Sequence, residues 1–270
     1  MDTLIPSFQY VNSIEKVDAS ACIKSIRLTS NVCTIAIYHP ETKEIHLINT
    51  YNIDPSLKEN EIVSWISEIN NKLNIPCQKN VFYIYTKSNT QIPKEYYEEK
   101  EINHILSLIY PEDPQGKACP EFVDVYELYN LTKCNQTLLG SIQSLLPEFE
   151  IKTHISTLFT LLSRIQEKEN TALIFIENMH FTILASHNHN FLGANGLNFT
   201  KESDFVYYTV DFLRKIYPSS EPVFLYICGN IEEQSPIFSL TKKYIKNLSI
   251  LKQTNSSELD NYHYFSDIIL

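Results

Sequence analysis

Hydrophobic positions along the chain follow two periods, one of two residues in short runs and one of three to four in longer ones. These periods succeed each other in the same order twice. In the first half, residues 22–29, 32–39 and 44–52 alternate as strands, joined by tight turns near Thr29–Asn31 and at Pro40–Lys43. A helix over 57–74 follows, with Ile62, Ile66, Ile69 and Leu73 on one face. Ser56 and Glu59 have the spacing of a capping box that would open it. The strand Val81-Phe82-Tyr83-Ile84-Tyr85-Thr86 comes next. In the second half, strands at 171–177, 180–186 and 190–198 lead to a helix over 202–217 that carries Phe205, Thr209, Phe212 and Ile216, then to Val223-Phe224-Leu225-Tyr226-Ile227-Cys228.

Other segments are less regular. After residue 86 the pattern predicts a polar loop holding Pro93, a helix near 95–109, a proline-bearing loop over 110–120 and a strand at 121–128. A helix over 134–146 ends at Pro147. Residues 149–167 read as a short strand or turn and an amphipathic helix with Ile155, Leu158, Leu162 and Ile165 on one face. Late in the chain, a helix at 236–246 and a strand at 248–252 mirror 95–109 and 121–128. The apolar tail Tyr262–Leu270 is expected to pack back as a strand. A repeat far longer than the roughly 20–50 residues of a solenoid unit indicates a duplicated domain, with 1–147 and 148–270 as the two copies. The order β-β-β-α-β-α-β demands a mixed sheet: antiparallel for three strands, then parallel where helices make the crossovers.

Composition adds bounds. With 270 residues, 43% of them apolar and 20% charged, two domains can each bury a core. The net charge of −10 argues against a chain that grips phosphate backbones. The basic interleaving that would turn its many aromatics into a base-stacking platform is missing. Tyr96–Tyr97 and Tyr207–Tyr208 read as exposed aromatics at helix starts, which suits a protein partner. The six cysteines (Cys22, Cys33, Cys77, Cys119, Cys134, Cys228) form no CxxC pair, as expected of free thiols in a reducing cytoplasm. Cys33 and Cys228 lie in apolar strands, where burial makes a thiol inert. No secretory signal opens the sequence and no run approaches a membrane span. A cytoplasmic protein is expected.

The repeated topology resembles the actin, sugar-kinase and heat-shock-chaperone superfamily, built on a duplicated ribonuclease H-like core. More narrowly, the chain is similar to a family of bacterial proteins of unknown function with an actin-like ATPase fold. The residues that carry this are the Ile26-Arg27-Leu28 hairpin, Thr90-Gln91-Ile92-Pro93, Leu225-Tyr226-Ile227-Cys228-Gly229-Asn230 and Ser235-Pro236-Ile237-Phe238. The resemblance implies two hairpin turns that hold ATP's phosphates, each needing glycines so that backbone N–H groups can approach, and a nearby Asp for Mg²⁺. The five glycines (Gly116, Gly140, Gly193, Gly196, Gly229) all lie outside those turns.

The first turn, Thr29-Ser30-Asn31-Val32-Cys33, has no acid. The second, Glu177-Asn178-Met179-His180-Phe181-Thr182, keeps one carboxylate and one hydroxyl but places bulky side chains where small ones belong. Asn31 and Asn178 are candidates for positive φ that would close the turns. Gly229-Asn230 stands where the resemblance puts the superfamily's adenosine loop, but a lone glycine better suits a tight turn at a strand end or close helix packing. If a nucleotide binds, its residues are Gly229, Asn230, Glu177, Asn178 and Thr182. No catalytic residue and no metal ligand is assigned: His187-Asn188-His189-Asn190, near His180, reads as a polar hairpin turn before it reads as a zinc site. Two-metal nuclease chemistry needs clustered carboxylates where this chain has Arg27 and Glu177.

The expected fold is therefore α/β, two ribonuclease H-like domains with mixed five-stranded sheets in the actin-like ATPase arrangement. The expected role is a non-catalytic protein-interaction or scaffold module that needs no cofactor. The alternative is a weak ATP-binding protein, or an ATPase or small-metabolite kinase with ATP and Mg²⁺ in the interdomain cleft.

Overall fold

Alternating side chains along residues 23–52 build the first sheet, because every second residue of a strand faces the same way. The computed structural model describes residues 5–12, 18–111, 116–165, 168–217 and 222–251. In it β2 (Ile23–Leu28), β3 (Val32–Tyr38) and β4 (Ile45–Asn52) pair antiparallel, with Arg27 opposite Thr34 and Thr34 opposite Thr50. After α1 (Glu59–Leu73), β5 (Lys79–Ile84) returns parallel to β2, and β9 (Phe149–Thr153) is parallel to β5. The mixed five-stranded sheet is present, and β1 (Phe8–Val11) adds a sixth strand antiparallel to the edge of β4.

On one face of this sheet, Ile26, Ile35, Phe82 and Phe149 pack with Val63, Ile66 and Ile69 of α1 and with Leu138 and Ile142 of α3 (Gln136–Leu145). Ile62 and Leu73 flank that core half-buried. Helix α1 opens later than the sequence suggests. Ser56 turns back to bond Asp54 Oδ1 at 2.7 Å, and Glu61 accepts the Lys58 N–H at 2.8 Å. The carboxylate half of the capping box thus comes from Glu61.

The second sheet repeats the strand order. β10 (Asn170–Glu177), β11 (His180–His187) and β12 (Asn190–Asn198) form an antiparallel meander. α5 (Glu202–Ile216) crosses over to β13 (Phe224–Gly229), parallel to β10; α6 (Pro236–Thr241) then leads to β14 (Asn247–Ile250), parallel to β13. Its core joins Ile174, Ile176, Phe181 and Ile183 to Phe205, Val206 and Leu213 of α5 and Phe238 of α6. Phe181, Phe199 and Phe205 meet edge to face or tilted with ring centroids 4.7–6.0 Å apart. α4 (His154–Ile165) precedes β10, with Ile155, Leu158 and Leu162 fully buried.

Between β5 and α3 the structure differs from the elements the sequence pattern predicts. The helix expected over 95–109 is two 3-10 turns, Lys94–Tyr96 and Glu99–Glu101, followed by α2 (Ile102–Ile109). The strand expected at 121–128 lies earlier, at β7 (Gly116–Val123). Two more strands appear, β6 (Asn89–Pro93) and β8 (Leu128–Asn135), and the three make a separate sheet in the order β6-β8-β7. Likewise α6 ends at Thr241, five residues short of its expected end. The counterparts of α6 and β14 in the first sheet are α3 and β9, not the segments near 95–109 and 121–128. The expected strand at 262–270 lies outside the described residues.

The chain divides into two compact units. One holds Met1–Thr86, Asn103–Cys119 and Lys133–His154; the other holds Lys87–Ile102, Pro120–Thr132 and Ile155–Leu270. The six cysteines are thiols and form no disulfide with one another. Among the described residues, no helix is long and apolar enough to cross a membrane.

Candidate functional site

Both hairpin turns singled out by the sequence are closed by their own residues. In the first unit, Thr29 N–H donates to Val32 O at 2.9 Å while Thr29 Oγ1 accepts the Val32 N–H at 3.2 Å. Asn31 therefore keeps an ordinary negative φ, contrary to expectation, and its carbonyl accepts Ile53 N–H at 2.8 Å. A side-chain hydroxyl has replaced the left-handed residue as the device that turns the chain.

In the second unit, Glu177 and His180 form the last cross-strand pair of β10 and β11. The two residues between them make the turn, with Asn178 in the left-handed region at φ 52°. Asn178 Nδ2 donates to Glu177 Oε1 at 3.2 Å, and Met179 accepts Phe199 N–H through its carbonyl at 3.0 Å. Met179 is half exposed, whereas Glu177, His180 and Thr182 are covered by protein, with 3%, 2% and 0% of their surface exposed. Directly opposed residues of an antiparallel pair share a face. Glu177 with His180 and Phe175 with Thr182 therefore line the same face of the hairpin.

His180 sits against Gly196 of β12. A Cβ on Gly196 would lie 3.1 Å from the ring's Nε2 and 3.0 Å from the Lys87 carbonyl oxygen, so a glycine there makes room for the imidazole. Burial, and secondarily the nearby Lys87 cation, lowers the His180 pKa to about 4. His180 is thus a neutral imidazole at physiological pH. Among the described residues the Thr182 hydroxyl finds no hydrogen-bond partner.

Gly229 ends β13 opposite Ile176. It has φ +93°, and a Cβ on it would fall 2.2 Å from the Ile176 carbonyl oxygen. That same oxygen accepts Asn230 N–H at 2.8 Å, and Ile231 N–H bonds the Gly229 carbonyl at 2.9 Å. Backbone geometry by itself accounts for the glycine. The sequence-nominated residues of the second unit thus gather at the ends of β10, β11 and β13.

His187-Asn188-His189-Asn190 is the polar hairpin turn it resembles. Asn188 and His189 have φ of 47° and 64°, and His187 Nδ1 lies 2.8 Å from Asn170 Oδ1. Among the described residues no three His, Cys, Asp or Glu side chains converge as metal ligands would.

A further surface feature lies outside these turns, and only one of its residues stands out in the sequence. Helix α5 presents Val206, Tyr207, Val210 and Arg214 beside Leu240 and Tyr244, and a trough of about 420 Å³ runs between them. It continues past Leu213 and Tyr217 to Ile245 and Lys246 as a further space of about 370 Å³. Tyr207 and Tyr244 stand about two-thirds exposed on its rim. Tyr207 was legible as an exposed aromatic; the i, i+3, i+4, i+7 spacing of 203, 206, 207 and 210 was the further signal.

Strand order, crossovers and core together define an actin-like ATPase fold. A Bacteroides thetaiotaomicron protein, described as having that fold and unknown function, superposes with a TM-score of 0.79 at 15% identity, covering 96% of this chain and 99% of its own. The PilM–PilN type IV pilus biogenesis complex contains a chain that matches with TM-score 0.63 and 11% identity, over 91% of this chain and 96% of that one. The ethanolamine utilization protein EutJ from Carboxydothermus hydrogenoformans matches with TM-score 0.53 and 6% identity, covering 100% and 93%. The chain belongs to the family of proteins of unknown function DUF3822, whose model matches residues 12–248. No curated protein matches it by sequence.

Proposed function

We propose that this protein is a non-catalytic member of the actin-like fold, acting as a protein-interaction or scaffold module rather than turning over ATP. One observation carries the reading: Glu177 and Thr182, the only carboxylate and hydroxyl the second turn could offer a phosphate or its cation, are covered by protein. The turns are also unsuited to the triphosphate. A phosphate cradle needs several free N–H groups on a backbone without Cβ atoms. Here Thr29 and Val32 spend theirs within their own turn, and Met179 and His180 crowd the other. The residues present do not fit ATP with Mg²⁺. Gly229, which the resemblance assigns to an adenosine loop, is required by the approach of Ile176.

An actin-like chain whose turns no longer hold a nucleotide retains its surfaces, and one structural neighbour is described in a complex with another protein. The reading extends to the origin of the fold: the shared strand order of the two five-stranded sheets supports descent from a tandem copy.

Isothermal titration with Mg·ATP into the protein, at concentrations that detect millimolar binding, tests the proposal. No saturable heat is expected. Saturable heat that Glu177→Gln weakens would overturn it in favour of a nucleotide-binding protein.

A further inference from the structure

The trough along α5 is apolar at its floor and basic at its rim. Val206, Val210, Leu213, Leu240 and Ile245 form the floor, and Arg214 and Lys246 line its edges. Lys242 and Lys243 extend from the same α6–β14 connection, both exposed. Among the described residues the one acid lining the trough is Asp211, and its carboxylate pairs with Lys215 Nζ at 2.8 Å. This concentration of positive charge stands out on a chain whose net charge is −10. Two tyrosines, Tyr207 and Tyr244, flank the floor with rings mostly in solvent. Aromatic residues and arginine around a concave apolar strip are what a protein interface concentrates at its centre.

The shape bounds the occupant. Ser203 and Arg214 mark the ends of the α5 stripe, and the helix rises about 1.5 Å per residue, so the strip runs roughly 17 Å. That length accommodates about three turns of a helix or five residues of an extended segment. The charge complements an acidic partner: opposite-sign rims steer association and reject basic competitors.

We propose that the α5 trough docks a short segment of another protein carrying apolar side chains flanked by Asp or Glu. This rests on the reading of the chain as an interaction module and names where and with what chemistry the interaction occurs.

Selection of a phage-displayed library of random 16-residue peptides against the full-length protein tests it. Counter-selection uses Arg214→Glu and Tyr244→Ala variants, whose substituted side chains are exposed and leave the core intact; circular dichroism and melting verify this. Enriched peptides with two or three apolar residues flanked by acids are expected. A synthetic copy should bind at least about tenfold more weakly to either variant, and more weakly as salt rises. Absence of enrichment, a basic consensus, or equal binding to the variants would overturn the proposal.

Two parallel measurements cover other occupants. Binding to vesicles containing phosphatidylserine that Arg214→Glu abolishes would assign the trough to a membrane surface. A concentration-dependent dimer in sedimentation that Tyr244→Ala dissolves would assign it to a second copy. Either result contradicts the proposal. All of these outcomes are independent of the Mg·ATP titration, so loss of the docking site leaves the non-catalytic reading to stand or fall on its own test.

Discussion

A Cβ on Gly229 would stand 2.2 Å from the carbonyl oxygen of Ile176, the residue paired with it across β10 and β13. The backbone there also has φ +93°, a region L side chains rarely enter. Gly229→Ala is therefore expected to lower stability by about 2–3 kcal/mol, read as a lower midpoint in urea. Any function lost in that variant reports on the fold. Ligand binding at this loop is better examined through exposed Asn230.

Thr182 offers the opposite case. Its side chain is wholly buried on β11, and among the described residues its hydroxyl has no partner. Replacing a buried unpaired hydroxyl by a methyl of the same shape removes an unsatisfied group. Thr182→Val should melt at the same temperature as the native protein or a few degrees above it. A marked drop would reveal a hydrogen bond to this hydroxyl and return Thr182 to the list of working site residues.

Acid should weaken the second unit through His180. Its pKa is about 4 in the fold, against 6.5 unperturbed, chiefly because it is buried. Between those values the unfolded chain takes up a proton that the native imidazole refuses. The native preference is thus complete above pH 6.5, declines as pH falls, and is spent near pH 4, worth roughly 3 kcal/mol in all. His46 is shifted the same way, burial again being the main cause. Urea midpoints across pH 4–7 should show a slope that His180→Gln flattens in part. An unchanged slope would contradict the burial of this imidazole.

Lys24 is buried in the first unit and donates to Asn70 Oδ1 of α1 at 2.9 Å. Burial is the largest influence on its pKa and lowers it. Asn70→Leu would leave this cation without its acceptor, at a cost of about 2–3 kcal/mol. Adding Lys24→Met should recover most of the loss, since two apolar groups can replace a buried polar pair. Strict additivity in the double-mutant cycle would show that the two residues act independently.

What the sequence makes legible depends on which residues carry the signal. The meanders and the helices after them were legible because Ile26, Ile35 and Phe82, or Ile174, Phe181 and Ile183, alternate or recur at the period of their element. The sheet β6-β8-β7 was not. Its β6–β8 face sets Asn89, Gln91, Asn130 and Thr132 together, and Gln91 Nε2 bonds Asn89 Oδ1 and Asn130 Oδ1 at 3.0 Å each. An amide network occupies that face in place of alternating apolar side chains, so the period that marks a strand is missing. At the turns, residue types were legible but their roles were not. Nothing in the sequence says that Thr29 closes its turn in place of Asn31, or that Ile176 forces the glycine at 229.

The most direct measurement is amide chemical-shift mapping of the labelled protein titrated with Mg·ATP into the millimolar range. If the turns no longer hold phosphates, amides of residues 29–33, 177–182 and 229–231 stay in place as nucleotide rises. Saturable displacement of those same amides, absent when AMP replaces ATP, would show a working triphosphate site and contradict the account.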